Sequence, residues 1–265
     1  MTDSNGPGTL LFWIDQWTPA TAVRWEVPMA TAESPVPGFR RAPDRRPRVV
    51  LLDVFDTMVR LDTLRGRFVD VGRPEHESEL FIARAMRDGI ALAMAGPPGR
   101  FVPLVREVLR ATTGHKLSEE ALDHVLEGFR SLPPHPDVEF ALVTLAKAKI
   151  PVYAFAYGGD RGAAAALDRA GLRTYLRGTV SSDELRAFRP AAEAYLLACQ
   201  QVHAEPDRVA MVTAHTWDVH GAIRAGLVGG LATRLEGGVP RTIEAPHVYA
   251  DSVDEVVDRL LALPA

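Results

Sequence analysis

The strongest constraint on the fold is a continuous apolar run near residue 50 that ends in two aspartates. Residues 48–56 read RVVLLDVFD, and the apolar residues do not alternate with polar ones. Such a run is typical of a parallel strand buried on both faces, with its polar end at the carboxyl edge of the sheet. A charge at the end of a buried strand is unfavourable unless it is paired or used, which makes Asp53 the leading candidate for a functional residue.

Three further segments have the same apolar character and predict more strands of the same sheet. They cover residues 150–157, 208–215 and 226–233, and helical patterns separate them. Ser181 with Glu184 has the spacing of a helix-capping box and predicts one helix running towards residue 202. Strands that alternate with helices predict an α/β fold built on a doubly wound, Rossmann-like parallel sheet.

The long stretch between the first and second strands contains no good strand. It shows helical patterns at 78–95, 101–112 and 118–130 instead. A connection of this length exceeds a simple crossover, so we predict a helical cap over residues 60–145. The core would then consist of residues 48–59 and 146–265.

Residues 1–47 differ from the rest of the chain because they are rich in proline. We predict an N-terminal extension that is partly disordered or packed on the body of the protein. The apolar pieces at 10–14 and 23–25 favour packing, either on the body or on a partner.

Composition excludes several classes of function. The net charge of −4 gives no basic surface for nucleic acid or anionic membranes. The single cysteine, Cys199, excludes an internal disulfide and is expected to be a buried apolar residue. No apolar run approaches the roughly 20 residues needed to cross a bilayer, and the N-terminus lacks the pattern of a signal peptide. We therefore expect a cytoplasmic protein whose partner is a small-molecule substrate, with no nucleic-acid or membrane partner; whether it forms a homodimer stays open.

Candidate site residues gather at the carboxyl ends of the predicted strands, where open parallel sheets bind ligands. They are Asp53, Phe55, Asp56 and Thr57 from the first strand, Ala156, Tyr157, Gly158 and Gly159 from the second, Arg189 from the segment SSDELRAFRP, and Thr213, His215 and Asp218 from the third. A nucleophile, a fixed cation and several polar groups would meet there.

Four segments, in this order, resemble the haloacid dehalogenase superfamily and, within it, the L-2-haloacid dehalogenase branch. The segments are LLDVFDTMV, YAFAYGG, SSDELRAFRPAAEAY and AHTWDVHGAIRAGL, and the resemblance covers about residues 48–260. The last segment is the most specific of the four. The resemblance implies that Asp53 is a nucleophile, that Thr57 hydrogen-bonds it, and that Asp218 is the aspartate of the fourth motif. It also implies that Phe55, Arg84 from the cap and Tyr195 contact the substrate or its leaving group.

Five positions depart from the pattern of that branch. Ala156 and Tyr157 stand where it has serine and asparagine, Arg189 where it has lysine, and Thr213 and His215 where it has serine and asparagine. Arg189 keeps a positive charge but cannot accept a proton. His215 could donate a hydrogen bond as an amide does, or act as a base. The loss of two small polar groups at 156 and 157 indicates that the substrate site has been rebuilt.

Each of these residues also has a structural explanation. Asp56 could be a turn or capping residue and Asp218 a helix cap, while Arg189 could be only an ion-pair partner of an aspartate. Arg84 lies on a polar arc of its helix that either lines the cleft or meets water. Gly158 could belong to an ordinary strand-to-helix turn.

Three functional hypotheses follow. The leading one is a hydrolase of the 2-haloacid dehalogenase type that acts on a small organic substrate through an ester on Asp53. The others are acid–base chemistry by Asp53 and His215 on the same scaffold, and a non-catalytic binding protein. The resemblance places Phe55 where phosphatases of the superfamily have an acid–base aspartate, and Asp218 is the only carboxylate of the fourth motif. We therefore expect no metal and no cofactor.

Overall fold

The computed structural model describes residues 41–95, 100–158 and 160–265. The apolar pieces at 10–14 and 23–25 and the residue Gly159 lie outside the described residues, so the expectations about them stay predictions. Among the described helices, none is long and apolar enough to span a membrane.

Six parallel strands form one sheet in the order β3-β2-β1-β4-β5-β6. The strands are β1 (Val49–Asp53), β2 (Val152–Ala156), β3 (Gly178–Ser181), β4 (Val209–Thr213), β5 (Val228–Ala232) and β6 (Val248–Ala250). Every residue of β1, β4 and β5 is buried, as expected for continuous apolar runs in a parallel sheet. The doubly wound α/β prediction is therefore confirmed, and Asp53 ends a strand that is paired on both sides.

Ten α-helices lie in the described part of the chain. They are α1 (Leu64–Asp70), α2 (Glu77–Ala95), α3 (Phe101–Thr112), α4 (Glu119–Glu127), α5 (Val138–Lys147), α6 (Asp160–Arg169), α7 (Ser182–Leu185), α8 (Ala192–Gln201), α9 (Thr216–Arg224) and α10 (Val253–Ala262). Because side chains alternate along a strand, the sheet presents two apolar faces. Val50 and Leu52 pack with α5, α6 and α10, whereas Leu51 and Met211 pack with α8 and α9.

Helices α1 to α4 form a separate helical layer with its own apolar core, which we call the cap. Its core is built from Phe68, Phe81, Ala85, Phe101, Val105, Val108, Leu109, Leu122 and Val125, and it continues into Tyr157 and Phe188 of the sheet domain. The chain leaves and re-enters the sheet domain where Val59 forms a bridge with Pro134. The helical layer predicted over 60–145 therefore ends near Pro134, because α5 packs on the sheet beside α10.

The described end of the N-terminal extension packs on the sheet domain. Ala42 is buried, and its carbonyl lies 2.9 Å from His247 Nε2. The amide of Arg46 donates to the carbonyl of Pro264 at 2.7 Å. Residues 41–47 thus belong to the body of the protein.

The segment after β3 differs from the single helix that the capping pattern predicted. Helix α7 has only one turn, because Arg186 adopts the left-handed conformation with φ of 54°. Pro190 has no amide hydrogen and follows within four residues, and α8 begins at Ala192. The interruption matters for the site, because it carries Arg189 into hydrogen-bonding contact with Asp53.

Candidate active site

Asp53 is held at the end of β1 by hydrogen bonds to both carboxylate oxygens. Thr57 Oγ1 donates to Oδ2 at 2.8 Å, and Thr213 Oγ1 lies 3.4 Å from the same oxygen. The Thr57 hydroxyl in turn accepts from the amide of Ala214 at 2.9 Å, which fixes its direction. Arg189 Nη2 donates to the other oxygen, Oδ1, at 2.8 Å. Because only 3% of the side chain is exposed, the orientation of this carboxylate is set by the protein.

Arg189 is a completely buried cation that joins two carboxylates. Its Nη2 contacts Asp53 Oδ1 and also donates to the carbonyl of Phe155 at 3.1 Å, while Nη1 donates to Asp218 Oδ2 at 2.5 Å. The guanidinium carbon lies 4.5 Å from the ring centre of Phe155 and 4.4 Å from that of Tyr157. Burial opposes the charge, but Asp218 and Asp53 outweigh it and hold the pKa of Arg189 above its ordinary value.

Asp218 is also fully buried, and Tyr195 holds it from the other side. The Tyr195 hydroxyl donates to Asp218 Oδ1 at 2.6 Å. Burial raises the pKa of the Tyr195 phenol well above its ordinary value, so it stays a neutral donor. Burial also raises the pKa of Asp218, and Arg189 opposes that increase. We expected Tyr195 to contact substrate, but its hydroxyl is used on Asp218 and the side chain has no exposed surface.

The position of Tyr157 links two departures from the L-2-haloacid dehalogenase pattern. Its ring lies against the Arg189 guanidinium, and its hydroxyl donates to the carbonyl of Arg189 at 3.0 Å. A planar guanidinium stacks on an aromatic ring, whereas an ammonium group is compact and strongly hydrated. Arginine in place of lysine and tyrosine in place of asparagine therefore form one packed unit. Burial raises the pKa of Tyr157 well above its ordinary value, so this phenol is neutral as well.

His215 places a ring nitrogen beside the Asp53 carboxylate. Its Nε2 lies 3.2 Å from the carbonyl oxygen of Phe55 and 3.6 Å from Asp53 Oδ2. Because a carbonyl can only accept, the first contact is a hydrogen bond when Nε2 carries the proton. The ring stacks on Trp217 with 5.2 Å between centroids, which fixes its plane.

Asp56 occupies a tight turn directly after β1. Its φ is 59°, the left-handed region that glycine adopts most easily. One carboxylate oxygen accepts the amide of Leu61 at 3.2 Å. Burial raises the pKa of Asp56, and His215 partly opposes this. Asp56 is thus a turn residue, as its structural explanation predicted, and it also borders the cavity described next.

A cavity of about 1020 Å³ lies between the cap and the sheet domain. Its walls are mainly apolar, and five aromatic rings contribute to them. The lining residues include Asp53, Phe55, Asp56, Tyr157 and His215 from the sheet domain and Phe81, Ile82, Met86, Phe101, Val102 and Phe129 from the cap side. Arginines and carboxylates of the cap form part of the remaining wall.

The structure brings most of the predicted site residues together, in two layers. Asp53, Phe55, Tyr157 and His215 line the cavity. Thr57, Arg189, Thr213 and Asp218 are buried and contact Asp53 directly or through Arg189, without lining the cavity.

Arg84 and Gly158 do not line the cavity, although we expected both to bind substrate. Arg84 lies 3.4 Å from Thr112 Oγ1 on α3, because α2 turns its apolar face, with Phe81 and Ala85, towards the cavity. Gly158 is covered by the cap: a Cβ atom built on it would lie 3.4 Å from Val102.

The cap residues of the cavity were missed at the sequence level. The apolar positions of α2 recur at helical spacing, as in Phe81, Ala85 and Gly89, and this pattern identifies a buried face. The pattern cannot tell whether that face meets the cap core or a cavity. Phe129 follows α4 in a short 3-10 turn and has no periodic signal of its own.

The arrangement does not fit a metal ion between the aspartates. Within the described residues, no group of three or more His, Cys, Asp and Glu side chains could hold one. A divalent cation shared by Asp53 and Asp218 would have to displace the buried guanidinium that now binds both. The fixed positive charge of this site comes from Arg189.

Comparison with known proteins agrees with this architecture. A family model for haloacid dehalogenase-like hydrolases matches residues 47–226. (S)-2-haloacid dehalogenase 4A of Burkholderia cepacia is 29% identical over 104 residues, which make up 39% of this chain and only 45% of that enzyme. (S)-2-haloacid dehalogenase 1 of Pseudomonas sp. strain CBS-3 is 24% identical over 180 residues, which are 66% of this chain and 79% of that enzyme.

A solved structure shows the same fold at low identity. The L-2-haloacid dehalogenase of Xanthobacter autotrophicus superposes with a TM-score of 0.75 at 20% identity and covers 82% of this chain and 98% of its own. The same enzyme has been solved with chloropropionic acid covalently bound. The family match extends over more than half of the sequence, and in the site a threonine, Thr57, and a cation, Arg189, both contact Asp53. The chain therefore belongs to the haloacid dehalogenase-like hydrolases.

Proposed function

We propose that this protein hydrolyses a small organic substrate through an ester formed on Asp53. The observation that carries the proposal is the asymmetric support of this carboxylate at the cavity wall. Oδ2 receives two threonine hydroxyls, whereas Oδ1 receives only Arg189 among the described residues. The covalent complex of the Xanthobacter enzyme with chloropropionic acid supports the same type of intermediate.

In the first step, Oδ1 of Asp53 attacks the substrate carbon, and the bond from that carbon to its leaving group breaks. The leaving group departs with the bonding electrons, as halide does from a haloalkane. Arg189 keeps the attacking oxygen oriented through a hydrogen bond of 2.8 Å. Positioning a nucleophile in this way removes much of the entropic barrier to attack.

In the second step, water attacks the carboxyl carbon of the ester, and Oδ2 carries the developing negative charge. Thr57, Thr213 and the Nε2 atom of His215 surround this oxygen, at 2.8, 3.4 and 3.6 Å. Hydrogen-bond donors placed around a developing oxyanion are a major source of rate enhancement in hydrolases. The Nε2 proton of His215 is bonded to the Phe55 carbonyl, so at 3.6 Å His215 adds only a weaker, longer-range stabilisation of Oδ2.

The attacking water also needs a proton acceptor. Asp56 borders the cavity, and burial raises the pKa of its carboxyl group. A carboxylate whose pKa is raised towards the working pH is a better base. Asp56 therefore takes the proton of the water, and collapse of the intermediate releases the substrate as an alcohol while Asp53 keeps one solvent oxygen.

Acid–base chemistry on the same scaffold is the second candidate function. It is favoured by the contact of His215 with Asp53, because two titratable groups 3.6 Å apart can exchange a proton with one substrate. In that reaction Asp53 forms no bond to carbon. The ester mechanism and the acid–base mechanism can therefore be distinguished by whether an ester forms on Asp53.

A single turnover in ¹⁸O-labelled water tests the proposal. Enzyme in excess over an organic halide should incorporate one labelled oxygen into the peptide that contains Asp53, detected by mass spectrometry. Turnover without label would exclude the ester and favour the acid–base reaction.

Two controls accompany this experiment. Asp53→Asn should fold normally and show neither turnover nor label. Chelation with EDTA should leave the rate unchanged, because the proposed steps draw their positive charge from Arg189. Loss of the rate in EDTA and its recovery with Mg²⁺ would contradict the proposal.

A further inference from the structure

We propose that the substrate carries an apolar, ring-sized group and has no carboxylate on the reacting carbon. This inference rests on the proposed function for the chemistry at Asp53, and it concerns which molecule that chemistry acts on. A 2-haloacid is different, because its carboxylate is attached directly to the carbon that Asp53 would attack.

The first argument is that, in the part of the chain that the structure describes, no free cation lies beside Asp53 to receive such a carboxylate. Arg189 is completely buried, and both of its terminal nitrogens are bonded to carboxylates. The cavity wall next to Asp53 is formed by Phe55, Tyr157, His215 and a second acid, Asp56. A substrate carboxylate placed there would lose water and meet two negative charges, which is strongly unfavourable.

The second argument concerns the end of β2, where small polar groups would be needed to cradle a carboxylate. Tyr157 fills this position, and its hydroxyl is already used on the carbonyl of Arg189. The cap closes over it, with the rings of Phe101 and Tyr157 5.2 Å apart and Val102 in van der Waals reach of Gly158. The backbone of Gly158 is buried beneath these side chains and does not line the cavity.

The third argument is the charge of the cap side of the cavity. Arg106 is paired with Glu119 and Asp123, and Arg130 with Glu127, so two cavity arginines are neutralised locally. Among the described lining residues, six carboxylates stand against three arginines: Asp53, Asp56, Asp123, Glu127, Asp183 and Glu184. Asp53, Asp123 and Glu127 are paired with Arg189, Arg106 and Arg130, which leaves Asp56, Asp183 and Glu184 beside Arg100 in the wall. The field of such a wall does not attract an anion.

The fourth argument is the size and chemistry of the apolar wall. Phe55 and Phe129 meet edge to face at 5.6 Å, and Phe81 packs on Phe129 at 6.3 Å, so three elements supply one aromatic surface. A cavity of about 1020 Å³ suits a ligand larger than a three-carbon acid. A ring placed against this surface gains both apolar burial and edge-to-face contacts.

The reaction balances without any further reagent. Asp53 Oδ1 displaces halide from the substrate carbon, and water cleaves the resulting ester at its carboxyl carbon. The products are an alcohol, a halide ion and one proton, with the Asp53 carboxylate restored. No step oxidises or reduces the substrate.

Three bromides separate the effect of the ring from that of the carboxylate. 2-Phenylethyl bromide has the ring alone, 2-bromo-3-phenylpropionate adds a carboxylate on the reacting carbon, and 2-bromopropionate has the carboxylate alone. Bromide release by wild-type enzyme should be at least about tenfold faster in kcat/KM for the first compound than for either acid. Faster release from either acid would overturn the inference.

A binding experiment keeps the inference testable if the enzyme proves inactive. The corresponding alcohols, 2-phenylethanol, 3-phenyllactate and lactate, are unreactive and can be compared by calorimetry. 2-Phenylethanol should bind at least about tenfold more tightly than the other two, a difference of about 1.4 kcal/mol. Phe129→Ala should weaken its binding, whereas the matched variant Phe140→Ala should not, because Phe140 is 69% exposed on α5 and lies outside the cavity.

The outcomes separate the two proposals. Binding of 2-phenylethanol without any turnover would support the ligand class and contradict the proposed hydrolysis. Binding of 3-phenyllactate as tight as that of 2-phenylethanol would show a carboxylate receptor and overturn the inference, as would failure of all three alcohols to bind. Phe129→Leu, which keeps an apolar side chain, serves if the alanine variant does not fold.

Discussion

A buried arginine is stable only when its charge and its N–H groups find partners inside the protein. Arg189 meets most of this need with two carboxylates, one carbonyl and two ring faces, while its Nε has no hydrogen-bond partner among the described residues. The same contacts orient Asp53, so one side chain serves both the folded structure and the nucleophile. Mutation of Arg189 therefore has consequences for stability as well as for activity.

We predict that Arg189→Met lowers the free energy of unfolding by about 3–5 kcal/mol at neutral pH. The reason is that Asp53 and Asp218 remain buried without their shared cation. Denaturant titration followed by circular dichroism measures the change. Arg60→Met is the matched control, because Arg60 pairs with Asp62 at an exposed site and its loss should hardly shift the midpoint. Equal effects of the two variants would contradict the structural role of Arg189.

The raised pKa of Asp56 predicts that the stability of the folded protein depends on pH. Burial raises the pKa of Asp56 in the folded protein above its ordinary value of 3.8, so the folded state holds this proton more tightly than the unfolded chain does. Wild-type stability should therefore fall as the pH rises from the ordinary pKa of Asp56 through its raised pKa in the folded protein. Asp56→Asn removes this titration and keeps a residue that tolerates a positive φ. The variant should gain stability relative to wild type over that pH range.

Asp62 provides a control of opposite sign. A hydrogen bond from Arg60 lowers the pKa of Asp62, so its charged form stabilises the folded state. Asp62→Asn should therefore lose a little stability relative to wild type as the pH rises, because the pair is exposed, where Asp56→Asn gains stability. Thermal unfolding between pH 3 and 7 follows both variants, and curves of the same sign would show that burial of Asp56 is not the cause.

Several residues of the site can be predicted from the sequence, for a physical reason. Asp53, Thr57, Arg189 and Asp218 are polar residues next to apolar strands or helix breaks, and buried charges must find each other. The role of Tyr195 cannot be read in this way, because a tyrosine in an apolar helix gives no sign of whether its hydroxyl meets substrate or protein. The pairing of Tyr157 with Arg189 depends on ring geometry, which the sequence does not encode locally.

Helix α3 of the cap begins with a contact from the sheet domain. Its first residue, Phe101, donates its backbone amide to Asp183 Oδ1 at 2.8 Å, across 82 residues of sequence. The first amides of a helix lack partners within the helix, so Asp183 supplies one from outside. This bond ties α3, which forms one wall of the cavity, to the turn that precedes Arg189.

We predict that Asp183→Ala destabilises this junction by about 1 kcal/mol, the usual effect of losing a side-chain cap. Hydrogen–deuterium exchange should show faster exchange at the start of α3 and little change in α10. Glu184→Ala is the matched control, because Glu184 is the neighbouring acid and does not accept this amide. An unchanged exchange rate at Phe101 would contradict the proposed link between cap and sheet domain.

Elements are predictable from sequence where their burial is uniform. The strands β1, β2, β4 and β5 are apolar along their length, so the sheet could be inferred. The edge strands β3 and β6 are only four and three residues long, which is too short for a pattern. The predicted cap range of 60–145 includes most of α5, because an apolar helix face does not reveal which layer the helix covers. The break between α7 and α8 depends on the left-handed Arg186, a conformation that arginine does not signal.

At the scale of the whole molecule, the sheet domain carries the described groups that contact Asp53, and a separate helical layer completes the cavity. The chemistry and the selection of substrate are thus divided between two parts of the chain. A cytoplasmic location stays a prediction from the sequence, and whether the protein forms a homodimer stays open.

This architecture predicts the effect of shortening the chain. A chain that ends at residue 208 lacks β4, the partner of β1 on one side, and also β5 and β6. It should give the circular dichroism and proteolytic sensitivity of an unfolded or molten chain. A chain that ends at residue 262 keeps all six strands and should unfold cooperatively. Cooperative unfolding of the chain that ends at residue 208 would contradict the central place of β1 in the sheet.

The central position of β1 also affects how the protein is made. Asp53 and Thr213 are hydrogen-bonded across 160 residues, so the strand that leaves the ribosome first is completed by one that leaves far later. At about 5–20 residues per second, this interval lasts roughly 10–30 seconds. During that time the apolar residues of β1 lack their β4 partner and can be held by a chaperone or paired with another nascent chain. A strand that is buried along its whole length in the folded protein therefore stays exposed for a long interval during synthesis.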